Sequence, residues 1–506
     1  MEKRITIILN NLNFCIRLND IKLMPLIEYI TNRMVTYTFT FNKYIKRMVR
    51  TVDQAYYSYD TKTNLYRFPI KVIKHVMGAI GQYGLKKEDI EILNNCDIDT
   101  EYVNFNINPK YIPRDYQEDY TNAVINNLNK KIFLIDASTG SGKGLIASMI
   151  ISKLKMRVGA ILLPKFINKW ILDAKEYLLV EDEDIYIVQG SESLINLMLE
   201  EEIDYKIIIF SITTLTNYLT DYEADKYDYP IIPSKLFEHL KIGVMFNDET
   251  HLSFAAITRS MNYFNPMYFI GSTATLDSNQ KDIKRMYNLV IPPENRISNL
   301  VQVEPYTYTK AVQYKLEFNK MIRYKRKQGY NHILYEQSIM RNSIFMENYF
   351  LMVEHYFREL YLDKRKDLEK DKIAIFFASI DMCTTFTNWL KNRYPTENIY
   401  RYVGGDSYHT MLESNIIISN NGMLGTAVDI PNLIAVIQTI SCGSLQINVQ
   451  NFGRLRKLKD RDVWYCYLFT RDIPRQYPMH LERYNVIKDK IKEFYLEVYP
   501  HMIKTI

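Results

Sequence analysis

A glycine-rich loop that ends in a lysine is the stretch whose residue types point most directly to chemistry. DASTGSGKG, residues 136–144, follows a short apolar run and precedes a helical pattern. Glycines at 140 and 142 let backbone N–H groups approach a phosphate, and the N-terminus of the following helix adds a favourable field. Lys143 would contact the β- and γ-phosphates of ATP, unless the stretch is an ordinary strand-to-helix turn. The predicted loop ligands are Thr139, Gly140, Ser141, Gly142, Lys143 and Gly144.

One position of this loop departs from the nucleotide-binding pattern. The residue after the lysine is normally Ser or Thr, because its hydroxyl is a ligand of Mg²⁺. Gly144 has no hydroxyl. Mg²⁺ readily keeps water ligands, so we expect a water, or the hydroxyl of Ser141 or Thr139, to fill this place.

Two acids and a histidine follow a second apolar run, in VMFNDETHLSF. Asp248 can hold Mg²⁺ through its water shell, and Glu249 can orient and deprotonate an attacking water. His251 is a further candidate around the nucleotide. Taken alone, these residues could equally be a strand end that meets solvent.

A basic cluster lies near the C-terminus, in QNFGRLRKLKD. Phosphoryl transfer needs positive charge near the γ-phosphate, often an arginine supplied across an interface. Gln450, Arg454, Arg456 and Lys457 are the candidates, although a basic helix is more often a solvated or nucleic-acid-binding face. The order of loop, acids and arginine predicts a two-lobed ATPase with ATP between its lobes.

The bulk composition is that of a soluble globular protein with several domains. The 506 residues are 47% hydrophobic and 24% charged, and the net charge of +6 permits a polyanionic partner without requiring one. The five cysteines are scattered without a C-x-x-C pair, which favours a reducing compartment. No 18-residue apolar run is present. We therefore expect a cytoplasmic protein with no membrane partner.

Short apolar runs alternate with helical stretches along the chain, and the candidate site residues follow the ends of such runs. In the first half they are KIFLIDA, RVGAILLP, YKIIIFS, IGVMFND and MYFIGST. In the second half they are KIAIFFAS, NIYRYVGG, NIIISNN, IAVIQTIS and DVWYCYLF. This rhythm predicts parallel sheets covered on both faces, with ligands at the carboxyl ends of the strands. The expected fold class is α/β, with two parallel-sheet lobes in tandem, a small α+β N-terminal accessory domain and a C-terminal helix.

Changes in this rhythm mark the expected domain boundaries. We expect an accessory domain, the first lobe, a linker or insert with the basic loop RYKRKQGYN, the second lobe and a helical tail, over residues 1–108, 109–285, 286–345, 346–475 and 476–506. In the tail, apolar residues from Leu481 to Val498 recur at helical spacing.

The accessory domain contains a basic stretch interleaved with tyrosines. Basic and aromatic residues together can grip phosphates and stack on bases, and Lys46, Arg47 and Arg50 are the named candidates. A solvated basic face above packed tyrosines is an equally good interpretation of the sequence.

The combined motifs resemble those of superfamily 2 helicases. PRDYQ, with Arg114 and Gln117, is similar to the adenine-reading motif, and NDETH is similar to a DExH box. GTAVDIPNL resembles motif V, which implies a nucleotide contact at Asp429. QNFGRLRK resembles motif VI, but Lys457 stands where a second arginine is usual, so either Arg456 or Lys457 would act beside Arg454. The resemblance implies RecA-like lobes and the use of ATP and Mg²⁺.

The same resemblance implies contacts with a nucleic-acid backbone on both lobes. Hydroxyls, lysines and backbone N–H groups position a strand without reading its bases. The candidates are Pro164, Lys165, Ser211, Thr213, Thr214, Thr273, Thr275, Ser379, Gly404, Gly405 and Thr426.

Within the superfamily, the sequence looks most like the phage branched-DNA helicases, which act 3′-to-5′. The implied partners are forked or branched DNA, the backbone of single-stranded DNA and the RNA–DNA hybrid of R-loops, bound by a monomer. Three alternatives stay open at this stage: an RNA helicase, a binding or annealing protein with a lapsed ATPase, and a translocase subunit of a restriction complex.

Overall fold

The computed structural model describes residues 3–42, 44–137, 140–273, 276–278, 280–298, 300, 304–317, 322–326, 329–421 and 430–505. The chain divides into two compact units, Met1–Val301 and Gln302–Ile506. Each contains one seven-stranded, all-parallel sheet. These are the two RecA-like lobes that the sequence predicts.

The N-terminal part of the first unit carries a mixed sheet, a two-stranded ribbon and two helices. Its strands are β1 (Ile5–Leu9), β2 (Asn13–Leu18), β3 (Val35–Asn42), β4 (Arg47–Ala55), β5 (Ser58–Asp60), β6 (Leu65–Pro69) and β7 (Ile90–Asn94), and its helices are α1 (Met24–Thr31) and α2 (Ile73–Gln82). The mixed sheet has the order β5-β6-β2-β1-β7, and β3 pairs with β4 alone.

This accessory part is packed onto the first lobe by buried polar contacts. The side-chain nitrogen of Asn13 donates to the carbonyls of Met261 (2.8 Å) and Phe264 (3.1 Å), and Tyr222 donates to Asp60. Asn13 is fully buried, so these bonds compensate for its loss of water. The accessory part and the first lobe therefore form one compact unit.

The first lobe alternates helices and strands. In chain order these are α3 (Asp115–Ile125), β8 (Ile132–Asp136), α4 (Lys143–Leu154), β9 (Val158–Leu162), α5 (Pro164–Leu178), β10 (Ile185–Val188), α6 (Ser191–Leu199), β11 (Ile207–Ser211), α7 (Ile212–Glu223), α8 (Pro233–His239), β12 (Val244–Asn247), α9 (Phe254–Tyr263), β13 (Tyr268–Thr273), α10 (Lys281–Val290) and β14 (Arg296–Ser298). Strands β9, β11 and β12 are buried along their whole length, as their continuous apolar sequences predict. The sheet order is β10-β11-β9-β12-β13-β8-β14.

The second unit repeats the plan with other connections. It contains β15 (Thr307–Leu316), β16 (Lys325–Arg326), β17 (Gly329–Tyr330), α11 (His332–Met340), α12 (Ser343–Phe357), a π-helical turn (Arg358–Leu362), β18 (Lys372–Phe377), α13 (Ile380–Arg393), β19 (Ile399–Tyr402), α14 (Tyr408–Glu413), β20 (Ile416–Asn420), β21 (Leu433–Gln438), α15 (Leu445–Phe452), β22 (Val463–Thr470), α16 (Gln476–Ile487) and β23 (Ile491–Ile503). The sheet order is β19-β20-β18-β21-β22-β15-β23.

The C-terminal tail is helical for only part of its predicted length. Helix α16 ends at Ile487, and β23 then pairs in parallel with β15 at the edge of the second sheet. The sequence of β23 is rich in aromatic and β-branched residues, and β15 would otherwise leave a row of unpaired backbone groups. The prediction of a helix continuing past Ile487 was therefore wrong, because pairing at the sheet edge overrides the helical spacing.

The segment 286–345, whose sequence lacks a strand rhythm, contributes a strand to each lobe. Strand β14 lies at the edge of the first sheet, and β15 lies between β22 and β23 in the second. Both strands carry polar residues, which hid them from a search for apolar runs. No helix among the described residues is long and apolar enough to cross a bilayer.

Candidate active site

The strand order of the first lobe brings three predicted motifs to one edge of its sheet. Strands β12, β13 and β8 are neighbours, and all three run in the same direction. The loop follows β8, the acids follow β12, and Ser272 and Thr273 end β13. Residues separated by more than 100 positions in the sequence therefore meet at the carboxyl edge, as expected for an open α/β sheet.

The loop has the backbone that its glycines predict. Gly140 and Gly142 have φ of +87° and +79°, a left-handed conformation that side chains disfavour. Gly142 is the N-cap of α4, so Lys143 begins the helix. Exposed backbone donors at a helix N-terminus form a phosphate-binding cradle.

Gln117 braces this loop. Its Nε2 donates to the carbonyl of Ser141 at 3.0 Å, its Oε1 accepts from the backbone N–H of Arg114 at 2.9 Å, and the side chain is buried. Tyr116, which the motif search did not single out, donates to the same Ser141 carbonyl at 3.0 Å. Arg114 itself is exposed. The structure thus places Arg114 and Gln117 beside the loop and gives Gln117 a structural contact with it.

The two acids lie against the lysine of the loop. Lys143 Nζ is 3.5 Å from Glu249 Oε1, and both side chains are largely buried. Burial and the charge of Glu249 raise the pKa of Asp248. Burial would also raise the pKa of Glu249, but Lys143 and His251 outweigh it and lower that pKa. Glu249 is therefore the more readily ionised member of the pair, which suits a group that accepts a proton.

The backbone at Glu249 is strained. Its φ of +50° and ψ of 50° are left-handed, a conformation that costs a non-glycine residue roughly 1–2 kcal/mol. Such strain persists only where the surroundings impose it, and it concentrates at functional sites.

Polar residues at the end of β13 hold the acids in place. The Ser272 hydroxyl donates to Asp248, and the Thr273 hydroxyl lies 2.8 Å from Nδ1 of His251. Burial lowers the pKa of His251, so its ring is neutral near pH 7. Thr273, predicted as a nucleic-acid contact, is fully buried and instead links β13 to the DExH segment.

The residues around the loop fit a nucleotide with its magnesium. Three buried polar atoms, Ser141 Oγ, Lys143 Nζ and Glu249 Oε2, lack a hydrogen-bond partner among the described residues. A buried polar atom without a partner is costly, and phosphate and hydrated Mg²⁺ would supply partners for all three. Thr139 lies outside the described residues.

A second group of possible metal ligands lies in the second unit, formed by His355, Glu359 and Glu497. Lys310 Nζ is 2.5 Å from Glu359 and 2.7 Å from Glu497. The Lys310 ammonium offsets one of the two carboxylate charges, so this group already contains a cation of the protein itself.

The predicted arginine motif is at the end of α15 in the second unit. Gln450 and Arg454 are buried, whereas Lys457 is 64% exposed and pairs with Glu304 at 3.1 Å. The guanidinium of Arg456 donates to the carbonyl of Gly453. Asp429 and Thr426 lie outside the described residues.

The predicted nucleic-acid contacts of the first lobe divide into exposed and enclosed groups. Pro164, Lys165 and Thr213 are exposed, whereas Ser211 and Thr214 are buried. Thr214 accepts from the backbone of Gly190 at 2.8 Å. Thr275 lies outside the described residues.

In the second unit, Ser379 is already engaged. Its hydroxyl donates to Glu336 at 2.7 Å, and the same carboxylate accepts from the backbone N–H groups of Ala378 and Ser379. Glu336 is fully buried, and burial raises its pKa to about 7. Gly404 and Gly405 are exposed after β19.

The β3–β4 ribbon presents Lys46, Arg47 and Arg50 to solvent, and we call these three residues the ribbon cations. Phe39, Phe41 and Met48 are more than half exposed on the same ribbon, and the Tyr44 side chain at its turn is 96% exposed. The sequence alternative of tyrosines packed beneath a basic face therefore does not describe Tyr44.

Comparison with known families identifies the segment that contains this cradle. Residues 110–278 match the family described as type III restriction enzyme, res subunit. This segment is similar to a superfamily 2 helicase domain, and it includes the loop, both acids and β13.

One solved structure supports the fold of this chain, and two others are similar over most of their length. A fragment of a putative HsdR subunit of a type I restriction enzyme from Vibrio vulnificus YJ016 aligns at 14% identity and a TM-score of 0.51, over 97% of this chain and 88% of that one. T4 UvsW aligns at 14% identity and a TM-score of 0.36 over the full length of both chains. Dbp5 of S. cerevisiae, bound to RNA and ADP BeF3, aligns at 13% identity and 0.49 over 76% and 90%. No curated protein matches the sequence.

Proposed function

We propose that this chain is an ATP-dependent helicase or translocase that acts on branched DNA, moving 3′-to-5′. The observation that carries the proposal is the approach of Lys143 to Glu249 beside a glycine loop that leads into a helix N-terminus. Backbone N–H groups and Lys143 bind the phosphates, and Glu249 takes the proton of the attacking water. Mg²⁺ held by Asp248 neutralises charge on the phosphates. Arg454, in the motif VI-like segment, stays the predicted source of further positive charge.

The choice of DNA rests on the sequence resemblance to branched-DNA helicases. The ribbon cations and the exposed residues Pro164, Lys165 and Thr213 support a backbone-binding mode with little base specificity. The chain acts on forks, four-way junctions and R-loops as a monomer in the cytoplasm.

The test is ATP hydrolysis and strand separation on forks, four-way junctions, R-loops and an RNA duplex. A general base contributes about 100-fold or more, so Glu249→Gln should lower the ATP turnover number by at least that factor. Lys143→Ala should abolish nucleotide binding. Glu192→Gln, an exposed acid of α6, is the matched control and should retain wild-type turnover.

Each outcome of this test either identifies the substrate or contradicts the proposal. Stimulation by RNA duplex alone would replace DNA by RNA. Unchanged turnover in Glu249→Gln at saturating DNA would contradict the enzyme proposal and leave a nucleic-acid-binding or annealing protein.

A second candidate is a DNA translocase that moves on duplex without separating strands. The family description and the likeness to the HsdR fragment, both from restriction enzymes, favour it. Displacement of a triplex-forming strand from duplex DNA, with no unwinding of forks under the same conditions, would identify this activity.

A further inference from the structure

The missing hydroxyl of the loop has a structural counterpart on the neighbouring helix. A Cβ built at Gly144 would lie 3.1 Å from Oδ2 of Asp173 and 3.4 Å from Cε2 of Tyr177, both on α5. Gly144 does not have a positive φ, so its backbone does not require glycine. A Ser or Thr side chain at this position would instead crowd the neighbouring carboxylate, which would have to shift by a few tenths of an ångström.

The Asp173 carboxylate is largely shielded from solvent and interacts electrostatically with Asp248. Its side chain is 24% exposed, and its closest cation, Lys169, is 3.9 Å away and half exposed, which makes a weak pair. Burial raises the pKa of Asp173, Lys169 opposes this rise, and the carboxylate of Asp248 adds to it. Two shielded carboxylates near one another are unfavourable unless a cation joins them.

An independent observation points to a ligand at the same place. Ser141 is 5% exposed, and its hydroxyl has no hydrogen-bond partner among the described residues. The ammonium of Lys143 is likewise buried, and its contact with Glu249 is an ion pair at 3.5 Å without hydrogen-bond geometry. Both polar groups of the loop are therefore available to a ligand such as a phosphate or a hydrated Mg²⁺.

We propose that Asp173 binds the magnesium of the nucleotide, directly or through one of its waters, in place of the hydroxyl that Gly144 lacks. Mg²⁺ is commonly held by one or two carboxylates together with phosphates and waters, and Asp248 and Asp173 provide such a pair. Asp173 is thus a metal-positioning residue. This inference rests on the proposed function, because it assumes that the loop binds a nucleotide.

The experiment is a titration of the full chain with Mn²⁺ in the presence of ADP, with free Mn²⁺ followed by electron paramagnetic resonance. Loss of a residue that positions a metal commonly weakens binding 10–100-fold, so Asp173→Asn should weaken Mn²⁺ at least about tenfold. ADP binding without metal should be unchanged. Glu176→Gln, an exposed acid on the same helix, should match the wild type.

A charge-only alternative is separated by Lys169→Gln. If Asp173 merely pairs with Lys169, neither Asp173→Asn nor Lys169→Gln alters Mn²⁺ affinity, and the proposal is overturned. If Asp173 holds the metal, Lys169→Gln removes a competing cation and leaves Mn²⁺ affinity equal to or tighter than the wild type.

A side-chain exchange tests the geometry. Gly144→Thr alone should weaken Mn²⁺ binding because its side chain meets Asp173, and adding Asp173→Ala should restore affinity above that of Asp173→Ala alone. Thermal unfolding confirms that each variant is folded. Wild-type Mn²⁺ affinity in Gly144→Thr would contradict the proposed contact with Asp173. No recovery of Mn²⁺ affinity in the double variant would contradict it as well. Absence of ADP binding in the wild type overturns the proposed function itself, whereas ADP binding with Mn²⁺ affinity indifferent to Asp173 overturns only this inference.

Discussion

The contact between Gln117 and the loop makes a sharp test of why residue 142 is glycine. A Cβ at Gly142 would lie 2.4 Å from Nε2 of Gln117, so Gly142→Ala must displace a buried amide. A left-handed backbone costs an alanine roughly 1–2 kcal/mol, and each of the two Gln117 hydrogen bonds contributes about 0.5–1.5 kcal/mol. We therefore expect Gly142→Ala to reduce the free energy of unfolding by about 2–5 kcal/mol.

Gly84 provides a matched control for the backbone part of this cost. Its φ is +78°, against +79° at Gly142, but an added Cβ would meet no atom within 4 Å. Gly84→Ala should therefore cost only the roughly 1–2 kcal/mol of the backbone. In a Gln117→Ala background, Gly142→Ala should fall to the same value, because the obstructing amide is gone.

The assay is urea unfolding of the full chain, with midpoints compared at a common slope. ADP binding should weaken in Gly142→Ala and not in Gly84→Ala, because only the first distorts the loop. Equal losses of stability in Gly142→Ala and Gly84→Ala would show that the contact with Gln117 does not stabilise the loop. An unchanged cost of Gly142→Ala in the Gln117→Ala background would lead to the same conclusion.

Three further predictions concern the acids, the second unit and the ribbon. Ser272→Ala removes the hydroxyl that donates to the buried Asp248. A hydrogen bond to a charged group is worth about 1.5–3 kcal/mol, so steady-state ATP turnover should fall by roughly 10–100-fold. Wild-type turnover in this variant would show that the bond does not support the acids. The pKa of Glu336 is raised to about 7 in the folded protein. Between the ordinary pKa of a glutamate and pH 7, the folded protein therefore keeps a proton on Glu336 that the unfolded chain releases. The free energy of unfolding should accordingly be higher at pH 5 and fall as the pH rises through 7. Urea unfolding should show a loss of stability on the order of 3 kcal/mol, and Glu336→Gln should reduce the dependence of stability on pH. The same pH dependence in both proteins would contradict the assignment of the raised pKa to Glu336. Replacing all three ribbon cations by glutamine should lower the number of counterions released on DNA binding by up to about three, measured as the slope of log affinity against log salt concentration. An unchanged slope in fluorescence anisotropy would show that the ribbon does not contact DNA.

The chemical character of the site could be read from the sequence because it is local. Each predicted motif consists of adjacent residues at the end of an apolar run, and parallel strands deliver such ends to one edge of a sheet. The two sheets followed from the same runs. Strands β14 and β15 were not predicted because they carry polar residues. Strand β23 was taken for helix because its apolar residues recur at helical spacing, which pairing with β15 overrides.

The contacts that complete the site are not local, and residue order does not reveal them. No motif marks Asp173 as a neighbour of Gly144, and the motif beside Ser272 does not indicate a hydrogen bond to Asp248. They become partners only when α4 packs on α5 and β13 pairs beside β12.

The sequence by itself determined two parallel-sheet lobes and predicted a nucleotide loop with its acids, because short-range residue order encodes them. It marked Gly144 as a departure from the nucleotide-binding pattern, with a water or a loop hydroxyl expected in place of the missing ligand. The tertiary structure decided otherwise, since the space beside Gly144 is filled by a carboxylate from another helix, and only the packing of those helices determines which atoms share that space.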